Sequence, residues 1–291
     1  MYKFGVFGQR GRLMVKRQFW VQKTLDLWKK KNLIWLAGVR RVGKTSLCKS
    51  LGLKIFDCEL PSVRRQLEDP ESFFDNLKIK AIAIDEIQKL SDPSNILKIA
   101  ADHYPNIKII ATGSSTLQVK KKFKDTLTDR KRNLWLTPMN LSDIGDFKLD
   151  MEDRMLKGGL PPAIQSEVFD HEFYSDWIDS YWAKDIQELF QIENRHSFIK
   201  FFELLALQSG DLFEASRFGS ECEVARPTLQ KYLDVLETTF ITTVIRPYFK
   251  NPNKEIISAP KVYFFDTGFI SYYKGVTHLS TELKGHYFEN L

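Results

Sequence analysis

The sequence predicts a doubly wound α/β domain followed by a helical region that closes on a two-stranded wing. Three observations predict it. Up to about residue 146, short apolar runs alternate with helical periodicity, the signature of strands in a parallel sheet separated by helices. The first of these runs ends at "GVRRVGKTSL" (Gly38–Leu47), which fits the spacing G-x-x-x-x-G-K-[ST] of a phosphate-binding loop. Beyond residue 150 the apolar runs give way to helical periodicity dense in aromatics, with β-like stretches returning only near the end.

Taken in order, residues 1–31 read as a basic N-terminal arm and helix. "LIWLA" (Leu33–Ala37) is a continuous apolar run, as in a strand covered on both faces. A helix is expected from Thr45 to about Leu51, with Gly52 as its stop. "KIFDC" (Lys54–Cys58), "AIAID" (Ala81–Asp85), "IKIIAT" (Ile107–Thr112) and "LWL" (Leu134–Leu136) read as further strands, completing a core over 32–146. A helical lid follows over 147–196, interrupted by the turn "KGGLPP" (Lys157–Pro162). Helical stretches near 197–208, 212–218 and 227–239 precede "FITTVIRPYF" (Phe240–Phe249) and "EIISAPKVYFFD" (Glu255–Asp266), joined by the hairpin chemistry of "KNPNK". Three helices and a two-stranded wing predict a winged helix over 197–285, with 286–291 opening a further domain.

The motifs carry a consistent chemistry. In the loop, Gly38, Val39, Arg40, Arg41, Val42 and Gly43 are expected to wrap phosphate oxygens with their backbone N–H groups, the glycines permitting the close turn. Lys44 is expected to reach the β- and γ-phosphates. Thr45 is expected to ligate Mg²⁺, with Ser46 beside it at the start of the helix. "AIAIDEIQ" ends a strand in two acids: Asp85 is the Mg²⁺-side carboxylate, and Glu86 is placed to polarise an attacking water. "ATGSST" (Ala111–Thr116) closes the next strand. Thr112 or Ser114 there is placed to hold that water or sense the γ-phosphate, although the string also reads as a plain glycine turn. Arg130, just before the last core strand, is a candidate to neutralise transition-state charge across a subunit boundary, which predicts a homo-oligomer. The cofactors expected are therefore ATP and Mg²⁺.

Composition bounds the rest. The 291 residues are 43% hydrophobic and 27% charged, an ordinary globular balance with room for two or three domains. No run of about 18 apolar residues exists and no secretion signal is visible, so no membrane contact is expected. Cys48, Cys58 and Cys222 are widely spaced and odd in number, which suggests reduced thiols and a cytoplasmic location. Residues 1–31 hold nine basic residues and one acid, a net of +8 against +6 for the whole chain. Such an arm suggests contact with a polyanion, double-stranded DNA being the candidate. Against this, the expected recognition helix carries Arg226, Lys231, Asp234 and Glu237, a net of zero. A protein partner for the winged helix therefore stays open.

Together, "VRRVGKTSL", "FDCELPSVRRQLEDPESFF", "IDEIQKL", "ATGSSTL", "GGLPP", "YWAKDIQELF" and "APKVYFFDTGF" give the chain a resemblance over roughly residues 15–291. It resembles the prokaryotic AAA-type ATPases that join an ASCE-class P-loop core, a winged helix and a C-terminal restriction-endonuclease-like tail. The resemblance implies ATP hydrolysis. It also implies that Lys261 approaches the nucleotide, and that "KGHYFENL" (Lys284–Leu291) opens a tail that is absent or truncated here. Relatives of this kind carry Gly-Arg-Lys where this chain has Asp129-Arg130-Lys131. Two functions follow as expectations: an ATPase coupled to DNA binding or remodelling, or a slowly turning nucleotide-gated switch that recruits a partner through its winged helix. A P-loop small-molecule kinase is disfavoured by Glu86, Arg130 and the wing.

Overall fold

The computed structural model describes residues 15–113, 123, 126–248 and 258–291. The basic arm up to residue 14, Ser114 and the hairpin turn at 249–257 therefore lie outside the described residues. The chain forms two compact units. The first gathers residues up to Gly38, Val42–Thr137 and Leu141–Lys148; the second gathers Val39–Arg41, Pro138–Asn140 and Leu149–Leu291.

The first unit is built on five parallel strands: β1 Leu33–Ala37, β2 Lys54–Asp57, β3 Ala81–Asp85, β4 Lys108–Thr112 and β5 Lys131–Trp135. Their order is β2-β3-β4-β1-β5, so β4 is inserted between β1 and β3. That insertion brings the ends of three strands together, since Leu36 pairs with Thr112 and Ile84 with Ala111. Every residue of β1 is buried, which explains its unbroken apolar run. The fifth strand starts earlier than "LWL" suggests, because Lys131, Arg132 and Asn133 complete the ladder to Leu33–Trp35 at a sheet edge that solvates their side chains.

Among its described residues, the second unit is helical apart from one antiparallel pair, β6 Thr242–Ile245 with β7 Lys261–Phe264. Helices Arg195–Leu207, Ala215–Cys222 and Arg226–Thr238 precede that pair. The middle helix begins three residues later than expected, because Leu212 instead forms a bridge to Lys261. The boundary expected at 196 has no counterpart in packing. Trp177 and Tyr181 stack at 5.1 Å, and both meet Phe202; Trp177 also meets Phe265 and Phe269. One aromatic core thus runs through the expected lid and the expected winged helix.

"GGLPP" and "FDTGF" meet in this core. The buried Asp266 carboxylate accepts hydrogen bonds from the Gly159 N–H (2.6 Å) and the Gly268 N–H (2.9 Å). A Cβ on Gly158, which has φ +69°, would lie 1.9 Å from the same carboxylate, so only glycine fits there. Helix Thr281–Glu289 buries Tyr287 against Met155, Ile270 and Leu279. Among the described residues, no helix is long and apolar enough to cross a membrane.

Candidate nucleotide site

The loop between β1 and helix Lys44–Ser50 has the backbone its glycines predict. Gly38 has φ +148°, and a Cβ there would lie 2.4 Å from the Leu136 carbonyl oxygen. Gly43, at φ +100°, is left-handed as the chain turns into the helix. Val39 and Val42 are buried and anchor the loop, while Thr45 and Ser46 are exposed at the helix start. Lys44 Nζ donates to the Gly38 carbonyl at 2.8 Å, folding the ammonium over the loop's own concavity.

Strand order then brings the acids to this loop. The Thr45 hydroxyl donates to Asp85 Oδ2 at 3.0 Å. The Thr112 hydroxyl, buried at the end of β4, donates to Asp85 Oδ1 and accepts the Glu86 N–H at 3.3 Å. Of the two candidates to hold the attacking water or sense the γ-phosphate, Thr112 has its hydroxyl on Asp85 and the Glu86 backbone, and Ser114 lies outside the described residues. Glu86 sits in the left-handed region (φ 53°, ψ 43°), and its Oε2 accepts from Gln88 Nε2 at 2.5 Å. A non-glycine residue held there costs about 1–3 kcal/mol, which surrounding structure must offset. Burial, with a smaller contribution from Asp85, pushes the Cys48 thiol up to about 12; burial, then Asp57 and Asp85, does the same for Cys58. Both thiols are therefore neutral beside the site at physiological pH.

The two arginines of the loop, expected to offer backbone N–H groups to phosphate, turn their side chains to the second unit. In the second unit, Arg40 Nε donates to Asp185 at 2.8 Å and its carbonyl accepts from Trp177 Nε1 at 3.0 Å. The Arg41 guanidinium lies 5.4 Å from the centre of the Phe173 ring. Asp185 lies in a π-helical turn, Trp182–Gln187, inside the "YWAKDIQELF" stretch. The backbone at Arg41 is itself left-handed, at φ 61°.

Arg130 precedes β5, at the opposite end of the parallel sheet from the loop, and pairs with Asp102 at 2.8 Å. That ion pair holds Asp102 below the usual carboxylate range. Within one chain it cannot reach the loop of its own sheet. Lys261 pairs with Glu289 at 3.0 Å, and the Tyr263 hydroxyl donates to the same carboxylate at 2.5 Å. The lysine expected near the nucleotide thus has a partner within the second unit, and so does Glu289.

Sequence reasoning missed Arg17. Counted with the basic arm, it is buried: Nη2 and Nε donate to the Asp143 carboxylate at 2.6 and 3.0 Å. Its remaining N–H groups reach the carbonyls of Val42 (3.2 Å) and Thr137 (3.0 Å), and Trp20 Nε1 also donates to Asp143. Arg17 therefore fixes the loop's last turn from behind. Its partner is 126 positions away, beyond the reach of any local pattern.

Comparison with known proteins agrees with the first unit. Residues 30–145 match the family described as AAA domain, and residues 148–280 match a domain of unknown function, DUF8612. An uncharacterized protein of Mycobacterium tuberculosis is 27% identical over 253 residues, covering 84% of this chain and 56% of that protein. An uncharacterized protein of Methanocaldococcus jannaschii is 25% identical, covering 81% of this chain and 61% of that protein. The chain thus spans little more than half the length of these relatives. Among solved structures, a Walker-type ATPase of Pyrococcus abyssi superposes with a TM-score of 0.55 at 16% identity, covering 89% of this chain and 96% of that one. Residues 30–145 are thus similar to an AAA domain, and the chain has the fold of a P-loop ATPase.

Proposed function

We propose that the protein is an ATPase that binds Mg²⁺-ATP at the Gly38–Ser46 loop and couples its hydrolysis to contact with DNA. The observation that carries this reading is the line Thr45–Asp85–Thr112, with Glu86 beside it. Thr45 and Asp85 are the residues that would hold Mg²⁺. A hydroxyl and a carboxylate 3.0 Å apart are the hard, sparse protein donors that ion takes when phosphates and water complete its shell. The ion would supply charge neutralisation on the β- and γ-phosphates. Lys44 binds the same oxygens, and Glu86 accepts the proton of the attacking water. Arg130 acts from a second copy of the chain, since its own loop lies at the other end of its sheet. We place the protein in the cytoplasm, where three buried thiols stay reduced.

A second reading has its own support. Helix Arg226–Thr238 is neutral overall, and Gln230 and Asp234 on it bond each other. We read this helix, its two predecessors and the β6–β7 pair as a winged helix. Without phosphate-seeking charge it suits a protein partner, and ATP would then gate recruitment with slow turnover. The two readings separate in one assay: ATPase rate with and without duplex DNA, across protein concentration. Turnover that rises with duplex and with concentration supports the first, and flat, near-zero turnover with retained ATP binding supports the second. Lys44→Ala should weaken ATP binding by about tenfold or more, through loss of a charge-assisted contact to phosphate; unchanged binding in that variant contradicts both.

A further inference from the structure

All five strands of the first unit run parallel, so all five begin at one edge of the sheet, opposite the phosphate loop. Every one begins at, or within two residues after, a lysine. β2, β4 and β5 start at Lys54, Lys108 and Lys131, while Lys80 directly precedes β3 and Lys31 stands two residues before β1. The connections entering the strands (29–32, 51–54, 76–80, 104–108 and 129–132) hold ten basic residues and one acid, Asp129, a net of +9. Adding the nearby Asp26, Asp69, Glu71, Asp75 and Asp102 still leaves +4. Two of those acids are already matched, Asp26 by Lys29 and Asp102 by Arg130. Lys30, Lys78, Lys80 and Arg132 are exposed and make no ion pair among the described residues.

We propose that this edge of the sheet is a docking surface for the phosphate backbone of double-stranded nucleic acid. The proposal rests on the reading above for its polynucleotide partner; it keeps Lys29, Lys30 and Lys31 at the end of the N-terminal arm and moves the rest of the contact away from residues 1–13 and from the neutral helix Arg226–Thr238. Solvation of strand-entry turns does not explain the pattern, because acids and amides solvate a turn equally well. The acids of this sheet gather at the other edge, as Asp57, Glu59, Asp85 and Glu86.

The spacing fits a linear polyanion. Four inter-strand gaps of about 4.8 Å make a row roughly 19 Å long. That is wider than the ~12 Å major groove, so the row reaches phosphates on both sides of it. Eight of the ten basic residues are lysines, point charges that bind phosphate without the fork geometry that reads guanine, so the contact is independent of sequence. A lipid surface is a poorer match. Membrane-surface segments set apolar side chains beside their basic ones. The large apolar residues of these connections are buried or half-buried apart from Ile79.

The test is a salt titration of binding to a 30-base-pair random-sequence duplex. It compares the parent, the variant Lys30→Ala/Lys78→Ala/Lys80→Ala/Arg132→Ala, the control Arg226→Ala/Lys231→Ala and a deletion of residues 1–13. Each lost phosphate contact makes the slope of log K against log salt shallower by about 0.9, so the fourfold variant should lose about 3 to 4 units. It should bind about tenfold or more weakly at ~0.1 M salt, while the control keeps the parent slope. The parent slope in the fourfold variant overturns the proposal, as does loss of slope in the deletion alone. Tighter parent binding to phosphatidylserine vesicles or polyglutamate than to duplex, or no duplex binding at low salt, also overturns it. ATP turnover is read separately. Duplex binding that depends on these four residues in a parent without turnover sinks the ATPase reading alone; turnover with an unchanged slope sinks this surface alone.

Discussion

The two edges of one parallel sheet handle charge in opposite ways. At the loop edge, charged side chains are drawn in and matched. Arg17 is wrapped by Asp143 and two carbonyls, Asp85 by two threonine hydroxyls, and Glu86 by Gln88. At the strand-entry edge, Lys30, Lys78, Lys80 and Arg132 are exposed and make no ion pair among the described residues. Matched, half-buried charge positions atoms for chemistry and is costly to disturb. Unmatched surface charge adds little to stability but sets the long-range field. The difference teaches where each kind of substitution should register: at one edge in stability and turnover, at the other in binding alone.

The largest effect on stability should come from Arg17→Ala. It removes the guanidinium from the fully buried Asp143 carboxylate, and losing one partner of a buried pair costs about 3–5 kcal/mol. Denaturant unfolding of this variant should show that loss, with ATP affinity falling because Val42 and the loop's last turn are released. A loss under about 1 kcal/mol would mean that the loop edge is not built on matched charge.

Thr112→Val is a smaller cut at the same edge. It keeps shape and burial but leaves an Asp85 oxygen and the Glu86 N–H without their partner, a cost of about 1–3 kcal/mol. The Mg²⁺ concentration for half-maximal turnover should rise as Asp85 loses its orientation. A variant with parental stability and Mg²⁺ response would break the proposed line of hydroxyls and carboxylate.

At the opposite edge, Lys30→Ala/Lys78→Ala/Lys80→Ala/Arg132→Ala should change stability by no more than about 0.5 kcal/mol per site, and in the stabilising direction if the like charges repel. A cooperative loss of several kcal/mol would show that these lysines are structural and erase the contrast between the edges.

Much of the loop edge was legible because its logic is local. Gly38 and Gly43 stand where φ turns positive, Lys44 and Thr45 follow in sequence, and Asp85 and Glu86 end an apolar run that could only be a buried strand. Strand β3 was read to the residue for the same reason. What escaped depends on contacts distant in sequence. Arg17 looked like one more member of a basic arm until Asp143 closed on it, and Thr112 looked free to meet water until the β3–β4 register set it on Asp85. The side-chain partners of Arg40 and Arg41, Asp185 and Phe173, stand far along the chain and leave no local signal. The row of lysines escaped for another reason. It is spread over five separate connections and becomes a row only once the strands are known to be parallel and adjacent.

The central claim, that the loop edge is a hydrolytic site with Glu86 activating water, is tested most directly by Glu86→Gln. ATP affinity and steady-state turnover are measured side by side on the parent and the variant. The amide keeps the size of the side chain and its reach to Gln88 but cannot take a proton. ATP should therefore bind with parental affinity while turnover falls by about 10²- to 10⁴-fold. A Glu86→Gln protein that binds ATP and hydrolyses it at the parent rate would contradict the account.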